Sequence, residues 1–66
     1  PVAFNAADEV AVAAFCDRKI RYTDIPRIVS AVMEEDWSAE ITSYEAIIEQ
    51  DRLARLKAAQ LCSCRI

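Results

Sequence analysis

Few side chains in this sequence have the type and spacing that chemistry needs. Cys62-Ser63-Cys64 brings two soft ligands together, able in principle to hold a thiophilic metal or to close a strained bridge, with Cys16 as the third thiol. Three cysteines at these spacings fit neither a disulfide framework nor a zinc site. The plainer expectation for Cys62 and Cys64 is a reduced, fraying C-terminal tail. Glu34-Glu35-Asp36 offers the oxygen ligands that Mg²⁺ takes, but such a run at a helix end is ordinarily just solvated. Asp8 and Glu9 are neighbours, so on a helix they point about 100° apart and form no acid–base dyad. The chain has no His, which removes any Cys–His or Ser–His nucleophile pair. It has no Gly, which removes phosphate-cradling loops and dinucleotide fingerprints. No catalytic, cofactor-binding or metal-ligating residue is assigned, and the chain alone is not expected to be an enzyme.

Size and composition explain what the residues do instead. A chain of 66 residues is one domain at most, and it buries only about 60% of its unfolded surface. At 55% hydrophobic it should fold, yet mini-folds of this size usually lean on disulfides, a metal or a partner. The chain opens on Pro1 without an initiator Met, so a piece of a longer protein is expected. The net charge of −3 argues against nucleic-acid binding. Arg18, Lys19, Arg21 and Arg27 cluster ahead of an acidic stretch that holds Glu34, Glu35, Asp36, Glu40, Glu45 and Glu49. Two solvated faces are the simplest reading of that split, and a docking patch for a neighbouring domain is the sharper one. No signal peptide or membrane-length apolar run is present. Reduced thiols point to the cytoplasm.

Alanine richness without Gly favours helix over strand. The first helix is expected from about Ala6 to Asp17, with Asn5 as its N-cap and Asp8 and Glu9 in its first turn. On that placement Asn5→Ala costs about 1 kcal/mol. Ala7, Val10, Ala11, Ala14 and Phe15 form its inner stripe, but Val12, Ala13 and Cys16 are apolar too. A helix greasy nearly all round wants cover on several sides, which this domain can hardly supply. A second helix should start at Thr23 and Asp24, tolerate Pro26 in its first turn, and bury Ile25, Ile28, Val29, Val32 and Met33. Arg18 to Tyr22 reads as a connector, with Ile20 and Tyr22 as core plugs. Trp37 begins a non-periodic stretch to Thr42 and is expected as a core or lid residue over the helix ends, with a partner hot spot as the alternative. Thr42-Ser43-Tyr44-Glu45 fits a capping box that opens a third helix burying Tyr44, Ile47 and Ile48. A break at Asp51 should lead to a fourth helix carrying Leu53, Leu56 and Leu61. A straight helix would instead put Asp51 and Arg55 at i, i+4 as an ion pair. The expected fold is all-α: a small bundle of three to four short helices, one domain over residues 1–66.

One stretch is more particular. Phe4-Asn5-Ala6-Ala7-Asp8-Glu9-Val10-Ala11-Val12-Ala13-Ala14-Phe15 resembles the N-A-A-N-E-V-A-V-x-A-F segment of the 1-deoxy-D-xylulose 5-phosphate reductoisomerase family. Lys19-Ile20-Arg21-Tyr22-Thr23-Asp24-Ile25 is similar to that family's K-I-x-F-x-D-I. Ser43-Tyr44-Glu45-Ala46-Ile47 and Asp51-Arg52-Leu53-Ala54-Arg55 are looser matches to S-x-E-x-[IV] and D-x-x-A-R. The resemblance covers nearly the whole chain and is most specific over residues 4–29. Asp8 stands where the family usually has Asn, a mild change near a helix start.

The resemblance implies a C-terminal helical accessory domain of a larger oxidoreductase. The family's enzyme converts 1-deoxy-D-xylulose 5-phosphate to 2-C-methyl-D-erythritol 4-phosphate for isoprene biosynthesis. It uses NADPH and a divalent metal, Mg or Mn, held by other domains, so no site residue carries over. The implied partners are the NADPH-binding and catalytic domains of the parent chain, in a parent homodimer, with neither nucleic acid nor membrane. The implied location is the cytoplasm, or the plastid if the source is a plant. Two other classes compete: a stand-alone helical interaction module that buries its first helix in an obligate small dimer, and a small metal protein using Cys62 and Cys64.

Overall fold

The computed structural model describes residues 2–37 and 43–64, with side chains to Ser63. Among them are three helices and no strand: α1 (Val2–Cys16), α2 (Asp24–Met33) and α3 (Tyr44–Cys64). The all-α bundle is therefore as expected, with three helices, one of them long. Glu9 meets Arg55, while further along both helices Ala14 and Cys62 line one cleft, so α1 and α3 run parallel. Asp24, at the start of α2, lies near Leu61, and Glu35, just past its end, reaches Lys57, so α2 runs antiparallel to α3.

The core is made largely of small residues. α1 buries Ala3, Ala6, Ala7, Ala11 and Ala14, and α3 answers with Ala54, Ala58 and Cys62. α2 fills the space between with Ile28, Val29 and Val32, and Val10, Ile20, Ile25, Trp37 and Leu61 pack around the edge. Helix axes approach as closely as the side chains between them allow, so an alanine seam brings α1 and α3 together tightly.

α1 begins upstream of the expected start. Helix is already formed at Val2, so Asn5 is an exposed interior residue rather than a cap, and no acidic residue lies in the first turn. The cause is packing: burying Ala3 and Ala6 requires helix from the outset, and a cap is worth only about 1 kcal/mol. At its other end Arg18 adopts φ 62°. Its N–H donates to the Phe15 carbonyl, and that of Lys19 to Ala14. This is the Schellman closure, normally built on Gly at the left-handed position. With no Gly in the chain, Arg18 takes the conformation at a cost of roughly 1 kcal/mol.

α2 follows its expected span and stripe, except that Met33 is largely exposed and Tyr22 in the connector points outward. Phe15 and Tyr22 stack edge-on at 5.6 Å. Thr23 occupies the cap position without a side-chain bond. Asp24 does the local work instead, its Oδ2 accepting from the Arg21 N–H at 2.9 Å. Trp37 is a half-buried lid, its Nε1 donating at 2.7 Å to the Val32 carbonyl, a second donor beside the Glu35 N–H at 3.1 Å.

α3 departs most from expectation. Ser43 caps it, with Oγ accepting from the Ala46 N–H at 3.2 Å; Thr42 lies outside the described residues. The helix runs straight through Asp51, so there is no fourth helix. Asp51 is absorbed by the i, i+4 bond to Arg55 at 2.7 Å, the alternative that the spacing had left open. Tyr44, Ile47, Ile48, Leu53 and Leu56, expected inside, are exposed because the inner stripe falls on Ala54, Ala58 and Cys62. Cys62 is thus a buried helix residue, not part of a fraying tail; the side chain of Cys64 lies outside the described residues.

Ile28 is fully buried and Asn5 is not a cap. Ile28→Ala should therefore lower unfolding stability by about 2–4 kcal/mol, and Asn5→Ala should leave it within about 0.5 kcal/mol. Chemical denaturation of both variants checks the contrast. Equal effects would refute this placement of α1 and α2.

Candidate functional site

The described residues form surfaces and shallow clefts rather than a reaction centre. No three of their Cys, Asp and Glu side chains converge to hold a metal ion. Glu34, Glu35 and Asp36 are exposed at the end of α2, and Glu35 Oε2 engages Lys57 Nζ at 3.5 Å. Asp8 and Glu9 lie on the second turn of α1. Cys16 is exposed on α1 and Cys62 is buried on α3.

An ionic clasp crosses the parallel pair. Arg55 gives Nε to Asp51 Oδ2 at 2.7 Å and a terminal nitrogen to Glu9 Oε1 at 2.8 Å. These bonds, that to Asp51 first, hold the guanidinium above its usual range. A second bond pair on the same helix joins Arg52 to Glu49, lowering the carboxylate and raising the guanidinium. All these groups are substantially exposed, so water and salt screen them. The clasp joins α3 to α1 and adds little stability.

The connector between α1 and α2 gathers three cations around a buried carboxylate. Arg18, Lys19 and Arg21 rim a cleft of about 450 Å³ walled by Ile20 and Leu61, with Asp24 on its floor. Asp24 is only 8% exposed. Its Oδ2 is bonded to Arg21, but its buried Oδ1 has no donor among the described residues. A buried acceptor left this way costs about 1–3 kcal/mol. Composition gave no hint of this carboxylate. The one local signal was the Arg21-to-Asp24 spacing, which suits an acidic side chain bonding a backbone N–H just upstream.

The larger surface is apolar. Phe4, Val12 and Phe15 lie at i, i+8 and i+11 on the outer side of α1, with Phe4 47% exposed. On α3, Tyr44, Ile47 and Ile48 crowd the first turns, and Leu53 and Leu56 follow, the last 51% exposed. The apolar flank expected on α1 at Val12, Ala13 and Cys16 is indeed uncovered.

Three outcomes check this geometry. A double-mutant cycle of Glu9→Gln with Arg55→Gln should show a coupling of about 0.5 kcal/mol, lost in molar salt; a coupling above 2 kcal/mol would show a buried clasp. Burial pushes the Cys62 thiol up, with Lys19 opposing. A raised folded-state pKa adds stability that is complete below the unfolded-state value, about 8.5, and is lost as pH rises from there through the folded value. Stability should therefore fall across the alkaline range, less so in Cys62→Ala. Under native conditions Cys16 should react with a thiol reagent well before Cys62; equal rates would contradict the packing of α3.

No solved structure matches this chain. Its sequence relatives are informative. It is similar to the 1-deoxy-D-xylulose 5-phosphate reductoisomerase of Saccharophagus degradans, 49% identical over 55 residues, which is 83% of this chain and 14% of that protein. The enzyme of that name from Cupriavidus pinatubonensis is 47% identical over 62 residues, 94% of this chain and 15% of its own length. That of Treponema pallidum is 41% identical over 58 residues, 88% of this chain and 15% of its own. The chain therefore spans about 15% of the length of such relatives. The family described as the DXP reductoisomerase C-terminal domain matches residues 1–57. By both likenesses this chain belongs to the family of the C-terminal helical domain of DXP reductoisomerase.

Proposed function

We propose that residues 1–66 are a supporting domain of a larger reductoisomerase that converts 1-deoxy-D-xylulose 5-phosphate to 2-C-methyl-D-erythritol 4-phosphate. The domain itself performs no chemical step. NADPH and a divalent metal serve the parent reaction from other domains. The residues described in this chain do not suit either group: no acidic cluster converges and no glycine loop exists to cradle phosphate. The NADPH-binding and catalytic domains of the same chain are its partners, in a homodimeric parent working in the cytoplasm. No described helix is long and apolar enough to cross a membrane.

The observation that carries this reading is the inversion of size across α1. Alanines fill its inner face while Phe4, Val12 and Phe15 face out. A domain optimised to stand alone would bury its largest apolar side chains, because each returns about 1.5–3 kcal/mol when covered. Such a surface instead suits a neighbouring domain.

The reading frame upstream of Pro1 tests the proposal first: it should encode a dinucleotide-binding fold and an Asp/Glu metal cluster, and finding neither would end it. Phe15→Ser adds an energetic test. It should cost the isolated chain about 1–2 kcal/mol, through the Tyr22 contact and the part of the ring already covered, and destabilise the longer protein by about 1 kcal/mol or more beyond that. Equal effects in both contexts would mean that nothing covers this face.

A further inference from the structure

We propose that the cleft under the α1–α2 connector, walled by α2 and the end of α3, is the seat of an acidic segment of the parent chain, a carboxylate-bearing stretch of backbone lying outside residues 1–66. The inference rests on the proposed function, since it takes its occupant from the longer chain that the family's relatives possess.

Three observations meet at this cleft. The first is charge: Arg18, Lys19 and Arg21 stand exposed around its rim, in a chain whose net charge is −3. Neither Arg18 nor Lys19 forms an ion pair among the described residues, whereas Arg52, Arg55 and Lys57 all do. The second is rigidity. The Schellman closure fixes Arg18 and Lys19, and the bond from the Arg21 N–H to Asp24 fixes the far side. Arg18 is held in the left-handed region, a strained placement that recurs at binding sites. Cations carried on a preformed turn bind without the cost of ordering its backbone.

The third is the floor. Asp24 puts a negative charge beneath the three cations, and its Oδ1 lacks a donor among the described residues. A phosphate dianion seated centrally would face that carboxylate and bring it no N–H. A peptide segment avoids the conflict. Its acidic side chain reaches the rim while its backbone runs along Ile20 and Leu61. Its backbone presents N–H groups, not a second negative charge, toward the floor where Asp24 lies. The mixed lining, with cations above, a carboxylate below and apolar walls, thus selects an acidic peptide over a free anion.

Zero-length carbodiimide coupling of the full-length protein tests this, read by peptide mass spectrometry. Lys19 should link to an Asp or Glu outside residues 1–66, and Arg18→Glu should cut the yield several-fold. Amide exchange should rise in the linked segment of that variant while Ala54 and Ala58 stay protected. Lys57 and Glu35, 3.5 Å apart, provide the internal control link. The proposal is overturned if that control forms and Lys19 stays free or links only within residues 1–66. A Lys19 link between two copies, seen in isotope-mixed samples, overturns it in favour of a second copy. Protection of Lys19 from acetylation only when inorganic phosphate is added overturns it in favour of a small anion. If the reading frame encodes no further domains, the supporting-domain proposal fails first. If it does and Lys19 is unlinked, this inference alone fails.

Discussion

Everything in this bundle follows from an alanine seam. Ala3, Ala6, Ala7, Ala11 and Ala14 of α1 close on Ala54 and Ala58 of α3, and helices whose contact side chains are methyl groups lie close together. The buried positions that α1 and α3 share are therefore small ones. Leu53 and Leu56 of α3 and Phe4, Val12 and Phe15 of α1 are turned outward as a geometric consequence. The bulk of the internal packing then falls to Ile28 and Val32 of α2, the largest fully buried side chains.

A seam of small residues is weakly directional, because alanines slide past one another at little cost. Polar groups fix what the core leaves loose. Arg55 ties α3 to Glu9 on α1 and to Asp51 one turn back. Lys57 reaches Glu35 beyond α2. Trp37 closes the end of α2 by bonding the Val32 carbonyl. These contacts are half-exposed and individually small, and each fits the register of α3 that the packed core adopts. The connector is set more firmly, by two backbone closures at Arg18 and Lys19 and by the partly orphaned carboxylate of Asp24.

The sequence made some of this readable and hid the rest for a physical reason. α2 was legible because Ile28, Val29 and Val32 are both large and periodic, and large buried residues dominate any pattern. The nearly all-apolar character of α1 correctly signalled an uncovered flank. The inner face of α3 was not legible, since pattern reading gives weight to Leu53, Leu56, Ile47 and Ile48 and little to alanine. The interior chose alanine. The break expected at Asp51 failed for a related reason: an acid on an inner stripe suggests a stop, unless a partner four residues on takes its charge, as Arg55 does. Asn5 looked like a cap because its type suits one, and burial of Ala3 outweighed that local preference. The candidate surface was partly visible in the basic cluster at Arg18, Lys19 and Arg21; the buried state of Asp24 was not, because solvent access belongs to the packed chain.

An outward apolar surface also bears on how such a domain folds. A chain of this length covers only a modest share of its unfolded surface, and here much of the buried core is alanine, with Ile28, Val29 and Val32 the larger members. Much of the free energy available from Phe4, Phe15, Ile48 and Leu56 is therefore released only against another surface. On the proposed reading that surface is the rest of the parent chain, and docking and folding of this domain are linked: whatever binds the folded form alone stabilises it. A tether makes this linkage efficient, because a domain in the same polypeptide is present at high effective concentration. Large outward residues with a small-residue interior then serve as a design for dependence, in which the helices keep their shape by alanine packing and gain their stability from the neighbour they support.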